Sequence, residues 1–367
     1  MAKRSGQQGA TLADVAAAVG LSPAAVSLAL RGKPGVSDAT RQRVNEAARS
    51  LRYRSPIPVT RQHGRPLTIG LVIKTVQGDS PEANRFYAPV MAGIEESCRM
   101  QRMDLMLATM PVDAYYQPLE VPRIATDRTC DGLIIVGVHL PPDMEGILEQ
   151  SPPSILVDAY ADDDAFDSVA PDNLGGARAA TRYLLEKGHR NVAILGTEVS
   201  AYPSILQRRL GYQQVMAEAG LAAQCIDVPY WHADSAATAG VSFIRSHPEV
   251  TAVFCANDAV GVALLQALRL AAIPVPGQVS IIGFDDIDLA GFVTPGLTTM
   301  AVDKVGMGRM AVTLLAHRLA VGSDAGVTQT LVRPQLIERE SVLNVERRDT
   351  QTLVEVLGSQ PPAAKGY

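Results

Sequence analysis

Apolar positions along this chain change their period, and each change marks a different kind of element. In residues 11–20, TLADVAAAVG, Leu12, Val15, Ala16 and Val19 recur at i, i+3, i+4 and i+7, the spacing that lines one face of an α-helix. Thr11 precedes that face as an N-cap with Asp14 three residues on, and Gly20 supplies the permissive backbone on which a helix ends. Ser22-Pro23 repeats the opening signal, and the next stretch directs Val26, Ala29 and Leu30 inward before Gly32 stops it. Ser37 caps a third helix whose stripe is Val44, Ala47, Ala48 and Leu51, while Arg41, Arg43, Arg49 and Arg52 face elsewhere. Three short helices, the first two joined by a tight turn, follow from this pattern.

Residues 54–66, RSPIPVTRQHGRP, show no apolar period and contain three prolines, so they read as a linker. From Leu67 onward short continuous apolar runs take over: LTIGLVI, DLMLATM, GLIIVG and SILVDA, then NVAILG, AVFCA and VSIIGF. Such runs, buried on both faces and separated by amphipathic stretches, are the grammar of parallel sheets covered by helices. One intervening helix is YAPVMAGIEESC, where Tyr87, Met91, Ile94 and Cys98 share a face. Two sets of units, before and after about residue 168, predict two lobes of like architecture with little shared sequence. The fold expected is an all-α N-terminal helix-turn-helix head plus an α/β sensor of two doubly wound parallel-sheet lobes.

Charge sharpens the division. The net charge of −5 conceals 11 Lys/Arg against 3 Asp/Glu in residues 1–65, or +8, leaving −13 beyond. A basic head on an acidic body suits a module that faces phosphates, because neutralising them releases counterions, although a solvated basic face would show the same excess. Hydrophobic content of 47% beside 19% charged residues excludes a disordered chain. No early apolar stretch reaches the roughly 20 residues a membrane span needs, so a cytoplasmic location and no membrane partner are expected. Cys98, Cys130, Cys225 and Cys255 lie far apart without a C-x-x-C pair, which predicts buried thiols and neither disulfide nor metal. No P-loop, G-x-S-x-G or H-E-x-x-H is present, so neither an enzyme nor a cofactor is indicated.

Ligands of open parallel sheets sit beyond the carboxyl ends of the strands. Asp158 ends SILVDA, Asn257 ends AVFCAN and Asp285 ends VSIIGFD. Each short polar side chain can hold hydroxyl groups, and each can instead cap the next helix or turn. For Asp258 and Asp286 capping is the preferred reading.

The segment TLADVAAAVGLSPAAVSLALRGKPGVSDATRQRVNEAARSLRY closely resembles the N-terminal domain of the LacI family of bacterial transcription regulators. The body matches its sensor, itself related to periplasmic sugar-binding proteins, at CDGLII from 130, at SVAPDNLGGARAATRYLLEKGHRNVAILG from 168 and at RRLGYQQVMAEAGL from 208. Further matches are FCANDAVGVALLQAL from 254 and VSIIGFDDIDLAGFVTPGLTTM from 279. The resemblance implies that the second helix enters the major groove of operator DNA, with Pro23 and Ala24 at the base-reading positions. It places Thr11, Leu12, Ser22 and Ser27 near phosphates or base edges. Arg31 and Leu28 stand where many members carry Asn and a base-contacting Arg; packing against the head is the competing account of Leu28. The linker lacks the leucine that many members wedge into the minor groove, and Pro58 disfavours a regular helix there, so an atypical hinge with Arg54, Arg61 and Arg65 on phosphates is expected.

In the sensor the resemblance points to a small-molecule effector, a carbohydrate in most members and a purine or nucleoside as the main alternative, held by Asn257, Asp285 and Arg209. A surface salt bridge is the alternative for Arg209. Phe86 and Tyr87 match an aromatic position beside the cleft, and Trp231 falls where relatives place another. The expected organisation is a head at 1–53, a hinge at 54–66, a two-lobed domain at 67–343 and a flexible tail at 344–367. Lobe one takes about 67–168 and 303–321; lobe two takes about 169–302 and 322–343, with the last strands near 328–341. The tail shows no leucine heptads, so a homodimer rather than a zipper-built tetramer is expected.

Overall fold

The structure, a computed structural model, describes residues 12–30, 36–51, 66–76, 85–113, 117–127, 129–148, 151–162, 165–230, 232–322 and 326–345. Thr11, Arg31, Arg54, Arg61, Trp231, the hinge and most of the tail therefore lie outside the described residues.

The head contains α1 (Leu12–Val19), α2 (Pro23–Leu30) and α3 (Asp38–Ser50). Val15, Ala16, Val19, Val26, Ala29, Val44 and Ala48 form its core along the stripes expected from the helical period, but Leu51, expected on the third stripe, lies past the end of α3 and is exposed. Ser22 Oγ accepts from the amide of Ala25 at 3.2 Å and Ser37 Oγ from that of Thr40 at 3.3 Å, so hydroxyls satisfy donors that each helix start leaves open. Gly20, at φ +68°, turns the chain out of α1, and Arg43 donates to the carbonyl of Val19 at that helix end. Residues this small give a minimal core, which suits a three-helix unit of about 50 residues.

The body begins with β1 (Thr68–Val76), α4 (Tyr87–Met100), β2 (Asp104–Val112), α5 (Arg123–Thr126), β3 (Gly132–Val136), β4 (His139–Leu140), α6 (Pro142–Leu148), β5 (Ser154–Val157), β6 (Tyr160–Ala161) and β7 (Asp167–Pro171). It continues with α7 (Asn173–Glu186), β8 (Val192–Leu195), α8 (Pro203–Glu218), β9 (Gln224–Ile226), α9 (Ala233–Ser246), β10 (Ala252–Cys255), α10 (Asp258–Leu270), β11 (Ser280–Asp285), α11 (Asp288–Phe292) and β12 (Thr298–Ala301). Last come α12 (Lys304–Val321), β13 (Gln329–Val332) and β14 (Gln335–Ile337).

Two six-stranded sheets result, with orders β2-β1-β3-β5-β7-β13 and β9-β8-β10-β11-β12-β14. All neighbouring strands are parallel except β12 and β14. In each sheet the first strand has the second on one side and the third on the other, so the strand order reverses there and opens a crevice at the carboxyl ends. Strands β3, β5, β8, β10 and β11 are buried along their whole length, as continuous apolar runs require.

One assignment of lobes changes. Residues 329–332 form β13, which pairs with β7 in the first sheet rather than in the second; only β14 completes the second. The edge of β7 would otherwise present open hydrogen-bonding groups, and β13 covers it. Arg333-Pro334 then breaks the strand and carries the chain across, and β7 itself keeps the first lobe intact to residue 171. The α12 helix packs closely on α4 of the first lobe: a Cβ at Gly93 of α4 would come within 2.2 Å of the Val305 carbonyl, and one at Gly308 equally close to that of Val90. Only glycine on both helices permits that approach.

Among the described residues no helix is long and apolar enough to cross a membrane. Cys98, Cys130 and Cys255 are buried and Cys225 is half-buried, all as free thiols. No cluster of His, Cys, Asp or Glu among the described residues is placed to hold a metal ion.

Candidate functional site

Residues following β1, β5, β7, β10 and β11 meet where the carboxyl ends of the two sheets converge. At the centre lies Arg208 of α8, 3% exposed. Its Nε donates to Asn173 Oδ1 at 2.9 Å, Nη1 to the Ala256 carbonyl at 2.7 Å and Nη2 to Asp285 Oδ1 at 2.9 Å. The guanidinium carbon stands 3.9 Å from the centroid of the Phe284 ring, a stacked arrangement open to arginine and not to lysine. Burial raises the Asp285 carboxyl above its usual range, and the neighbouring Arg208 charge and its hydrogen bond oppose that rise. Lys304 donates to the main-chain carbonyls of Asp285, Asp286 and Val302 and lies 6.0 Å from the Phe86 ring.

The first lobe brings a different set. Tyr87 donates its phenolic hydrogen to Asp158 Oδ2 at 2.8 Å, and Tyr202 of the second lobe donates to the Asp158 carbonyl at 2.9 Å. The ammonium of Lys74, near the end of β1, sits 5.1 Å from the Tyr87 ring centroid and 5.2 Å from that of Tyr202. Tyr160 packs edge-on against Tyr202 and Phe86 edge-on against Tyr87, so aromatic walls surround these polar groups. Burial pushes Asp158 up to about 6, against the opposing pull of the Tyr87 hydrogen bond and the Lys74 charge. Burial lowers Lys74 to about 8, with Asp158 acting the other way. Asp158 Oδ1 is buried and accepts no hydrogen bond among the described residues.

Asp158, Asp285 and Asp286 all have positive φ, at +43°, +110° and +51°. Three aspartates held in a region L-residues avoid, each at a strand end, mark backbone strain where both sheets open, and strain of this kind gathers at functional sites.

Phe86, Tyr87, Asp158 and Asp285 thus come together. Asn257 does not aim its side chain at them: its Oδ1 accepts from the amide of Val260 at 2.9 Å and caps α10. Asp258 likewise serves the scaffold, accepting from Thr299 Oγ1 at 2.6 Å and from the Ile287 amide at 2.9 Å; burial and the nearby Asp285 charge push it to about 8. Asp286 pairs with Arg339 at 2.8 Å. Arg209 requires a correction. Its guanidinium is turned away, onto the Thr197 carbonyl and the half-exposed Asp227, and the arginine that reaches Asp285 is its neighbour Arg208. The signal for this was present in the helical period. The buried stripe of α8 runs Ser204, Ile205, Arg208, Gly211, Tyr212, Val215, and Arg209 falls off it by 100°. Lys74, Tyr160, Asn173, Tyr202 and Lys304 were not anticipated; Lys74 alone left a trace, as a charge interrupting an apolar strand.

In the head, the Ser22 hydroxyl caps α2, Pro23 is exposed at the first turn of that helix, and Leu28 is half-buried. Leu12 lies on α1, and Ala24 and Ser27 on α2.

A helix-turn-helix head joined to a two-lobed α/β binding module is the architecture of a ligand-responsive DNA-binding protein. The comparisons with known proteins agree. Residues 11–55 match the model for bacterial regulatory proteins of the lacI family, and residues 181–342 match that for a periplasmic binding protein-like domain. The ribose operon repressor of Escherichia coli (strain K12) is 30% identical over 345 residues, covering 91% of this chain and 98% of the relative. The HTH-type transcriptional repressor PurR of Vibrio atlanticus (strain LGP32) is 28% identical over 339 residues, with the same coverage. Among solved structures, the transcriptional regulator CelR–cellobiose complex matches with a TM-score of 0.65 and 26% identity over 90% of this chain and 99% of that one. The lac repressor dimer bound to operator and the anti-inducer ONPF has the same fold, with a TM-score of 0.62 and 21% identity over 92% of this chain and all of that one. This chain belongs to the lacI family of bacterial regulatory proteins. It is a DNA-binding transcriptional regulator, not an enzyme.

Proposed function

We propose that this protein is a repressor whose affinity for an operator is set by a small hydroxylated ligand, a sugar or sugar derivative, entering between the two lobes at Arg208, Asp285 and Asp158. The observation that carries the reading is the polar network across the lobes: Arg208 and Asp285 are braced from the second, while Asp158 of the first keeps one buried oxygen open. An acceptor without a donor in a buried place costs free energy that a ligand hydroxyl relieves. Tyr87, Phe86, Tyr160 and Tyr202 supply the apolar ring faces that accompany carbohydrate binding. Solved relatives of this fold are complexes with cellobiose and ribose, which supports the ligand class.

A ligand gripping both lobes stabilises one angle between them, and the shift in DNA affinity equals its differential affinity for the two arrangements. Two heads of a homodimer then read the half-sites of a near-palindromic operator, in the cytoplasm where such DNA lies. Pro23 and Ala24, small and apolar at the start of α2, suit contact with thymine methyl groups. Ser22 and Ser27 suit phosphates and base edges, as do Thr11, Leu12 and Leu28 around them. Arg31, Arg54 and Arg61 supply positive charge to the backbone.

Fluorescence anisotropy on DNA from the gene's own upstream region tests this directly, against scrambled DNA and across a salt series, with and without sugars. Specific, salt-dependent binding that one ligand shifts is the expected result. Equal affinity for scrambled DNA would leave a ligand-binding body without operator recognition. A concentration series tests the dimer, which fails if monomer binds operator as tightly.

A further inference from the structure

Tyr202 stands at the N-cap of α8, where Ser, Thr, Asp or Asn ordinarily accepts from the first turn, yet its side chain makes no capping bond. Its main-chain carbonyl opens the helix instead, accepting from the amides of Ile205 and Leu206. Pro203 follows at the first helical position, and a residue before proline is kept out of the helical region; Tyr202 lies at φ −55° and ψ +146°. The backbone under this ring is therefore stiff, while the hydroxyl serves the other lobe. It is buried and donates at 2.9 Å to the main-chain carbonyl of Asp158, at the end of β5 in the first lobe. Tyr160 of β6, fixed to the first lobe by pairing with β4, meets the Tyr202 ring edge-on with centroids 5.3 Å apart. Tyr160 also packs against a small core of Ala201, Tyr202, Ile205 and Ala256 in the second lobe.

These contacts join the lobes through groups of the chain itself. Opening the cleft breaks the hydrogen bond from Tyr202 and separates its ring from that of Tyr160; closing it restores both. A hydrogen bond of this kind shifts a two-state equilibrium about three- to tenfold, and the edge-on ring pair acts in the same direction. We propose that Tyr202 is a latch: its hydroxyl, anchored on the Asp158 carbonyl across the cleft, holds the two lobes near their closed angle before a ligand arrives. A ligand then tightens an angle that the free protein already favours. Because apparent affinity scales with the population of the binding-competent state, the latch raises affinity for any ligand of the closed cleft without choosing among ligands. What closure does to DNA binding rests on the effector reading above; the latch adds to that reading a resting state that is already closed.

Tyr202→Phe removes the hydroxyl and keeps the ring, so it separates the latch from the aromatic wall. The test is amide hydrogen exchange, read by mass spectrometry on the purified full chain without ligand, wild type beside Tyr202→Phe. Exchange through an opening motion is proportional to the open population. Segments 158–162 and 201–206, one on each side of the contact, should exchange about three- to tenfold faster in the variant, while β3 and β10 keep their wild-type rates. Acetylation of Lys74, whose ammonium lies 5.2 Å from the Tyr202 ring centroid, should accelerate in the same ratio. Wild-type rates at both segments overturn the proposal. Acceleration confined to 201–206 also overturns it, because the hydroxyl then acts only within its own lobe. Equal acceleration in β3 and β10 does the same, since the bond then serves general stability and not the angle between lobes. Operator anisotropy with the sugars used above separates this from the broader reading. Operator binding that no sugar shifts, in a chain whose exchange rises as stated, sinks the effector mechanism and leaves the latch standing. A ligand-responsive chain whose exchange is unchanged by Tyr202→Phe does the reverse.

Discussion

The two lobes share a strand order and differ in how their cleft faces are finished. The second lobe presents a closed network: Arg208 gives hydrogen bonds from all three guanidinium nitrogens to Asn173, Ala256 and Asp285, and stacks on Phe284. The first presents Lys74 between two rings and Asp158 with one oxygen open. The Arg208 network is satisfied before any ligand arrives, whereas Asp158 keeps one buried oxygen without a donor. In the proposed reading the second lobe therefore acts as a platform, and discrimination between ligands falls to the first. A pre-satisfied network holds its geometry, whereas a partly satisfied one gains most from a partner.

Arg208→Ala breaks the comparison most severely. Removing it leaves Asp285 buried without its counter-charge and two acceptors bare, which costs about 3–5 kcal/mol. Chemical denaturation should show the loss, and any effector response should vanish with it. A variant of near wild-type stability would mean that the platform is not pre-organised by this residue.

Asp158→Asn sharpens the comparison through pH. The folded carboxyl titrates at about 6 against an ordinary 3.8, so the unfolded chain gives up this proton first as pH rises. Below about 4 both states are protonated and nothing is lost. Between about 4 and 6 the native state loses stability, and above 6 the loss is constant, up to about 3 kcal/mol for a shift of this size. Asparagine stays neutral, so wild type should fall behind Asp158→Asn as pH climbs from 4 to 7 in paired urea melts. Parallel curves would show that Asp158 is not held in a desolvated site.

Tyr87→Phe is smaller. It deletes the donor to Asp158 Oδ2 and leaves the aromatic wall, for about 1–2 kcal/mol. The cost should be larger above pH 6 than below it, because the hydrogen bond favours the charged carboxylate. A pH-independent loss would assign the effect to packing instead.

Much of the fold was legible because burial on both faces writes itself as uninterrupted apolar runs, and the head because its caps and 3.6-residue stripes agree. Strands near 328–341 were legible, but the sheet that β13 joins was not, since Gln329–Val332 is half-exposed and its place depends on the distant edge of β7. The cleft was half legible. Tyr87, Asp158 and Asp285 stand at strand or helix ends, where topology alone sends ligand-facing groups. Asn257 stands at such an end too, yet its side chain is taken by the α10 cap, and nothing local distinguishes the two uses. Asn173 and Tyr202 contribute through contacts across the chain that no window of sequence contains.

The choice between the adjacent arginines is the sharpest remaining case, because aligned motifs cannot separate neighbours that a helical wheel places 100° apart. Arg209 pairs with Asp227, which is 48% exposed, so solvent screens most of the attraction and the pair is worth about 0–1 kcal/mol. Arg209→Ala should shift the melting midpoint little and leave operator binding and its ligand response within about twofold of wild type. Measured beside Arg208→Ala in one anisotropy assay, the two variants should differ by orders of magnitude in response. If Arg209→Ala instead loses the response while Arg208→Ala keeps it, α8 is rotated by one residue from the arrangement described, and the platform in the second lobe must be redrawn around Asp227.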